Sequence, residues 1–241
     1  MASQEKLQAN VEYVTEADLN IYDSPECKDL STQAEKGRYL RAMPETLNQT
    51  PNQTAVQVCL SEDDYPGWLA RSDIKSLSPA VEPLQIKSFS EAEIKQLIPE
   101  VIAFTRKAMQ QPNYYLWGGT VGPNFDCSGL MQKAFASVGI RLPRDAYQQE
   151  AFLQEVCTVE NFDANSLQEG DLIFFGTPQK ATHVGLYLGD NCYIHSSGKD
   201  KGRNGIGIDR LSEQGDEVSR SYYKQLRGAG RVVSSYIPQK G

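Results

Sequence analysis

Two prolines four residues apart, Pro79 and Pro83, limit how this chain folds more than any other feature. The stretch Ser76-Leu-Ser-Pro-Ala-Val-Glu-Pro83 can continue neither helix nor central strand, because each proline lacks an N–H and holds φ fixed. It predicts a linker over residues 79–89 between two units of different texture. Before it, residues 8–78 alternate short β-like runs with turn clusters. Leu19-Asn-Ile-Tyr22, Ala55-Val-Gln-Val-Cys-Leu60 and Gly67-Trp-Leu-Ala70 read as strands; Asp23-Ser-Pro25, the run Asn48 to Thr54, and Pro66-Gly67 read as turns. Several short strands with little helix predict a small β-barrel.

After the linker the period changes. Ser90-Glu-Ala-Glu93 is a capping box, followed by Ile94, Leu97, Ile98, Val101 and Ile102 at helical spacing. Pro99 interrupts them, so two short helices are expected. Leu130, Met131, Ala134, Phe135 and Val138 form one stripe, and Gly139 and Pro143 end that helix. Asp171–Phe175, His183–Leu188 and Cys192–His195 then read as strands. Helices followed by strands make residues 90–235 an α+β domain.

Composition narrows the function. A formal charge of -7 over 241 residues disfavours a nucleic-acid surface, so no nucleic-acid partner is expected. The start, Met1-Ala-Ser-Gln-Glu-Lys-Leu7, lacks the apolar core of a signal peptide, and no apolar run reaches membrane-spanning length. A cytoplasmic protein with no membrane partner is therefore expected, and nothing in the sequence specifies an oligomer. Five cysteines without zinc-knuckle or redox-pair spacing fit reduced side chains. Cys27, Cys59, Cys157 and Cys192 read as small buried hydrophobes. The Asn-x-Thr acceptors at Asn48 and Asn52 read as turn residues rather than glycosylation sites.

Cys127 stands apart because it falls at the start of the striped helix. Unpaired N–H groups and the helix dipole there favour an anion, which predicts a thiolate of depressed pKa and a place for an oxyanion. Small neighbours, Ser128 and Gly129, would leave room for a substrate backbone. The chain has two histidines, His183 and His195, on strands joined through Gly189-Asp190-Asn191. If that loop has an odd number of residues, the rings share a face, directly opposite or one diagonal step apart. One imidazole then takes the thiol proton and the other fixes its tautomer. We assign His183 as the base and His195 as the orienter. A Cys-His-His zinc site is the competing reading, but no acidic second shell is evident, so no metal or cofactor is expected. Gly205-Ile-Gly207 lacks the residues of a nucleotide loop and reads as a loop or hairpin turn.

Taken in order, Tyr115-Leu-Trp-Gly-Gly119, Asp126-Cys-Ser-Gly129, Leu142-Pro-Arg144, Leu167 to Phe175, His183-Val-Gly185, Ile194-His195 and Gly228–Val233 resemble the motifs of the NlpC-type cell-wall cysteine peptidases. Residues 8–78 resemble a bacterial SH3-like domain, through Leu19–Tyr22 and Pro66-Gly67-Trp68. The resemblance implies a papain-like catalytic domain, with Cys127 as nucleophile, His183 as base and His195 as orienter. It also implies a murein-derived peptide substrate, cut between γ-D-glutamate and a diamino acid. Asp126 and Tyr115, with Asp64 and Tyr65 of the first domain, are the implied amine subsite; the plain reading of Asp64 and Tyr65 is a solvated turn. Ser128 and Arg144 are the implied holders of the glutamyl carboxylate, the plain reading of Arg144 being a surface charge. Asp145-Ala146 follow Arg144 where many members carry a hydroxyl residue. A murein-binding protein with an inactive fold and a thiol amidase or acyltransferase are the alternative functions.

Overall fold

The computed structural model describes residues 7–9, 11–44 and 54–238; the turn expected over 48–53 and both Asn-x-Thr acceptors lie outside the described residues. Two compact units divide the chain: Met1–Ile86 with Ile237–Gly241, and Lys87–Tyr236. The division after Ile86 falls inside the stretch expected as linker.

In the first unit, β1 (Glu12–Thr15), β2 (Leu19–Tyr22), β3 (Leu30–Ala34), β4 (Tyr39–Ala42), β5 (Ala55–Leu60), β6 (Tyr65–Ala70) and β7 (Leu77–Pro79) form one antiparallel sheet. Their order is β3-β2-β6-β5-β4-β1-β7. Alternating side chains point inward, and Ile21, Leu40, Val58, Leu60 and Leu69 are wholly buried. Pro66 and Gly67 lie inside β6 instead of in a turn. Opposite β5 they pair with Cys59 and Val58, while β2 covers only Trp68 and Leu69. The missing proline donor thus falls where no ladder partner needs it.

The second unit layers helices on a sheet. Its helices are α1 (Glu91–Met109), α2 (Cys127–Ala136), α3 (Ala146–Phe152) and α4 (Glu217–Tyr223). The capping box at Ser90 and Glu93 starts α1, as the sequence predicts. Pro99 does not break it. Pro99 is exposed while Ile94 and Val101 are buried, so the carbonyl it frees faces water and the apolar face stays packed. The strands β8 (Gln154–Thr158), β9 (Leu172–Gly176), β10 (Ala181–Tyr187), β11 (Cys192–Ser197), β12 (Gly205–Arg210) and β13 (Leu226–Arg231) run in the order β12-β11-β10-β9-β13-β8. Leu130, Met131, Ala134 and Phe135 of α2 pack with Ile94, Val101, Leu172, Phe174, Val184, Leu186 and Ile194. A second cluster of Ile173, Phe175, Tyr187, Tyr193, Val218 and Tyr222 fills the other face of the central strands. Leu172–Phe175 of β9 and Val184–Leu186 of β10 are continuous runs without a polar side chain because they are covered on both sides.

Candidate active site

Cys127 is the first residue of α2, and Asp126 is its cap, accepting from Gly129 N at 2.6 Å. The sulfur lies against the backbone N–H groups of Ser128 and of Val184, the residue that follows His183 in β10. Ser196 Oγ donates to the carbonyl of Phe125 at 2.6 Å, tying β11 to the segment that enters α2.

The two histidines come together through the hairpin. Leu186 faces Ile194 and Tyr187 faces Tyr193, and Leu188 N donates to Cys192 O at 2.8 Å. That bond closes a loop of Gly189, Asp190 and Asn191, an odd number, with all three at positive φ. His183 Nε2 and His195 Nδ1 are consequently 2.7 Å apart, with rings at 86°. Tyr222 of α4 stacks on His183, with centroids 4.3 Å apart and planes 24° apart. Its hydroxyl and that of Ser197 share a 2.7 Å hydrogen bond.

Sequence reasoning missed what lies behind the pair. His195 Nε2 stands 2.6 Å from Asp209 Oδ2, and Asp209 is held by both prongs of Arg203 and by Ser219. Gly205–Arg210 is strand β12, not the loop expected, and places Gly207 opposite His195. The alternation of Ile206 and Ile208 with small or polar residues was the available signal. Both nitrogens of His195 are engaged, so the zinc reading loses one of its ligands. Among the described residues no His, Cys, Asp or Glu cluster has the geometry to hold a metal ion.

Electrostatics correct the expected thiolate. Burial, followed by the charge of Asp126, pushes the Cys127 thiol up to about 12, and the nearby N–H groups and Arg144 offset only part of this. Burial, then His195 and Lys201, holds His183 well below its ordinary value. Burial also lowers His195, against the pull of Asp209. Burial raises the Asp209 carboxyl, but hydrogen bonds from His195 and Arg203 outweigh it and hold the group low. Burial thus disfavours the charged form of both the thiol and the imidazole.

The residues expected to bind substrate mostly have other partners. Arg144 is buried rather than a surface charge. It donates to Asp126 Oδ1 at 3.2 Å, Asp126 Oδ2 at 2.5 Å and Ser128 Oγ at 3.0 Å. Asp126 also accepts from Gly118 N at 2.9 Å and from Ser128 Oγ at 3.3 Å. Its charge is balanced by Arg144 and its oxygens are occupied. The room foreseen at Gly129 is taken too: a Cβ there would sit 2.1 Å from Gly119 O, because the Tyr115–Gly119 loop lies against α2. Tyr115 is half-buried near Cys127 and Asp126, and burial raises its phenol. In the first unit, Asp64 turns between β5 and β6 at φ 53° and pairs with Arg41 at 3.2 Å. Tyr65 opens β6 and accepts from Ser31 Oγ at 3.4 Å. Cys59 and Cys157 are buried as expected, whereas Cys27 and Cys192 are partly exposed.

Compared with known proteins, residues 112–227 match the NlpC/P60 family and residues 21–74 match the bacterial dipeptidyl-peptidase SH3 domain. The murein DD-endopeptidase MepS/murein LD-carboxypeptidase of Escherichia coli is 31% identical over 151 residues, 61% of this chain and 71% of that protein. The chain belongs to the NlpC/P60 family. The chain is also 42% identical, over 85 residues, to the γ-D-glutamyl-L-lysine dipeptidyl-peptidase of Bacillus cereus. That match spans 34% of this chain and 24% of the relative, so this chain covers about a quarter of that protein's length. A solved NlpC/P60 family structure from Bacillus cereus, 25% identical, covers 93% of this chain and 64% of its own, with a TM-score of 0.47.

Proposed function

We propose that this chain is a cysteine peptidase that hydrolyses the γ-D-glutamyl–diamino acid bond of short murein peptides bearing a free N-terminal L-Ala, as a recycling enzyme. The observation that carries the reading is the 2.7 Å contact between His183 and His195 beside a helix-opening Cys127. His183 spends Nε2 on His195, which leaves Nδ1 for the thiol. On attack, the Cys127 proton passes to His183 Nδ1 as sulfur bonds to the γ-carbonyl carbon. The oxyanion meets first-turn N–H groups of α2, which precede any intrahelical acceptor. His183 then protonates the leaving amine of the diamino acid. Water, deprotonated by the same ring, splits the thioester.

Burial that disfavours both charged forms works against a buried ion pair before substrate displaces water. The substrate class is supported by the printed activities of the relatives, which act on γ-D-glutamyl-L-lysine and on murein. Asp126, neutralised by Arg144, lends little to amine selection; Tyr115 is the remaining candidate beside the nucleophile. A cytoplasmic site of action belongs to the same proposal and is supported by five free thiols.

The test offers free L-Ala-γ-D-Glu-diaminopimelate, its N-acetylated form and polymeric murein, with Cys127→Ala as control. Mass spectrometry should find L-Ala-D-Glu and free diaminopimelate from the first substrate only. Efficient release from polymeric murein would overturn the recycling reading.

A further inference from the structure

We propose that Asp209 is a positioning residue that fixes the protons on both histidines, so that His183 always presents a bare Nδ1 to Cys127. Three donors surround its carboxylate: Arg203 Nε at 3.0 Å from Oδ2, Arg203 Nη2 on Oδ1, and Ser219 Oγ at 3.3 Å from Oδ1. Asp209 is also buried. A carboxylate so held only accepts, so His195 Nε2, 2.6 Å away, carries the proton and donates it. The neutral His195 ring then has a lone pair at Nδ1. His183 Nε2, 2.7 Å from that lone pair, must be the donor, and its own Nδ1 is left without a proton. Without Asp209, the two imidazoles could share protons in either direction, and one of those directions blocks the base.

The surroundings are built for this role. Gly207 has no side chain because Arg203 lies across it: a Cβ there would be 2.6 Å from Arg203 Cδ and Nη1. Ser219 and Tyr222 sit on one short helix, α4, so the element that holds Asp209 also walls His183. Asp216, the cap of α4, lies 3.9 Å from the same Arg203 nitrogen that donates to Asp209.

The experiment uses the full chain with 15N-labelled histidine, and since the sequence has two histidines it yields four ring-nitrogen signals. At neutral pH the wild type should show both rings protonated at Nε2 and bare at Nδ1. Asp209→Asn, whose amide can donate, should shift His183 toward the Nδ1–H form. It should also lower kcat by about 10³–10⁴-fold at nearly unchanged KM, the order found when a triad carboxylate becomes an amide. Asp209→Glu should restore the tautomers and at least a tenth of the rate. A wild-type spectrum with His183 protonated at Nδ1 overturns the proposal, and so does an Asp209→Asn protein with unchanged tautomers and rate. The wild-type spectrum needs no variant that folds poorly. The rate arm rests on the peptidase reading above, whereas the spectra do not, so the two failures are told apart.

Discussion

Arg144 Nη2 stands 2.5 Å from Asp126 Oδ2, with the two side chains 2% and 9% exposed, directly under the nucleophile. Each is the other's partner, and together they pin the first turn of α2. Removing the guanidinium leaves a buried carboxylate unpaired, which costs roughly 3–5 kcal/mol. Arg144→Ala should therefore lower Tm by roughly 10 °C. Arg144→Lys should recover little, since an ammonium cannot span Asp126 and Ser128 with a planar fork. A raised KM with unchanged Tm would instead mark Arg144 as a substrate clamp.

The raised Cys127 thiol sets how the free enzyme reacts with alkylating agents. With the thiol pushed up to about 12, thiolate grows tenfold for each pH unit across the neutral range. The iodoacetamide rate at Cys127, corrected with Cys127→Ala for the other thiols, should climb steeply from pH 7 to 9. A rate constant flat between pH 5 and 8 would reveal a preformed thiolate–imidazolium pair.

Acid should destabilise the second unit through its histidines. Both are held below their ordinary value by burial, so the unfolded chain binds their protons first as pH falls. Their contribution is complete above about pH 6.5, the unfolded value, and is lost progressively below it. Thermal unfolding from pH 8 to 5 should show a flat Tm and then a decline, with a shallower decline in His183→Gln. A wild-type Tm constant down to pH 5 would contradict the burial of two neutral rings.

Tyr222 is the wall behind the base. Tyr222→Phe keeps the ring on His183 but strips Ser197 of its partner, which costs about 1–2 kcal/mol with most activity retained. Tyr222→Ala removes the wall, and should cost about 3–5 kcal/mol and most of kcat. Equal activity in the two variants would deny the stacking any role.

Much of the catalytic unit was legible because its chemistry is local. The capping box at Ser90, the α2 stripe and the three-residue loop after Leu188 are written in contiguous residues, and each forms where read. Pro99 misled because its cost depends on which side of α1 meets water. The strands Glu12–Thr15, Leu30–Ala34 and Tyr39–Ala42 are short and mix polar residues with apolar ones, so only their partners define them. Asp209 was invisible for a related reason: it meets His195 by a hydrogen bond along a diagonal of the β11–β12 pair, and sequence spacing does not encode that approach. The pKa of Cys127 follows from the closure of other elements over it, against the helix-end effect that the sequence suggested.

Covalent capture tests the central claim most directly. The full chain is mixed with excess L-Ala-γ-D-Glu-diaminopimelate, quenched in acid within the first turnovers, and examined by intact and peptide mass spectrometry. One L-Ala-γ-D-Glu acyl group on the peptide that contains Cys127, absent from Cys127→Ala and depleted in His183→Ala, is the expected result. Diaminopimelate release that persists in Cys127→Ala, with no acyl group on the wild type, would contradict it.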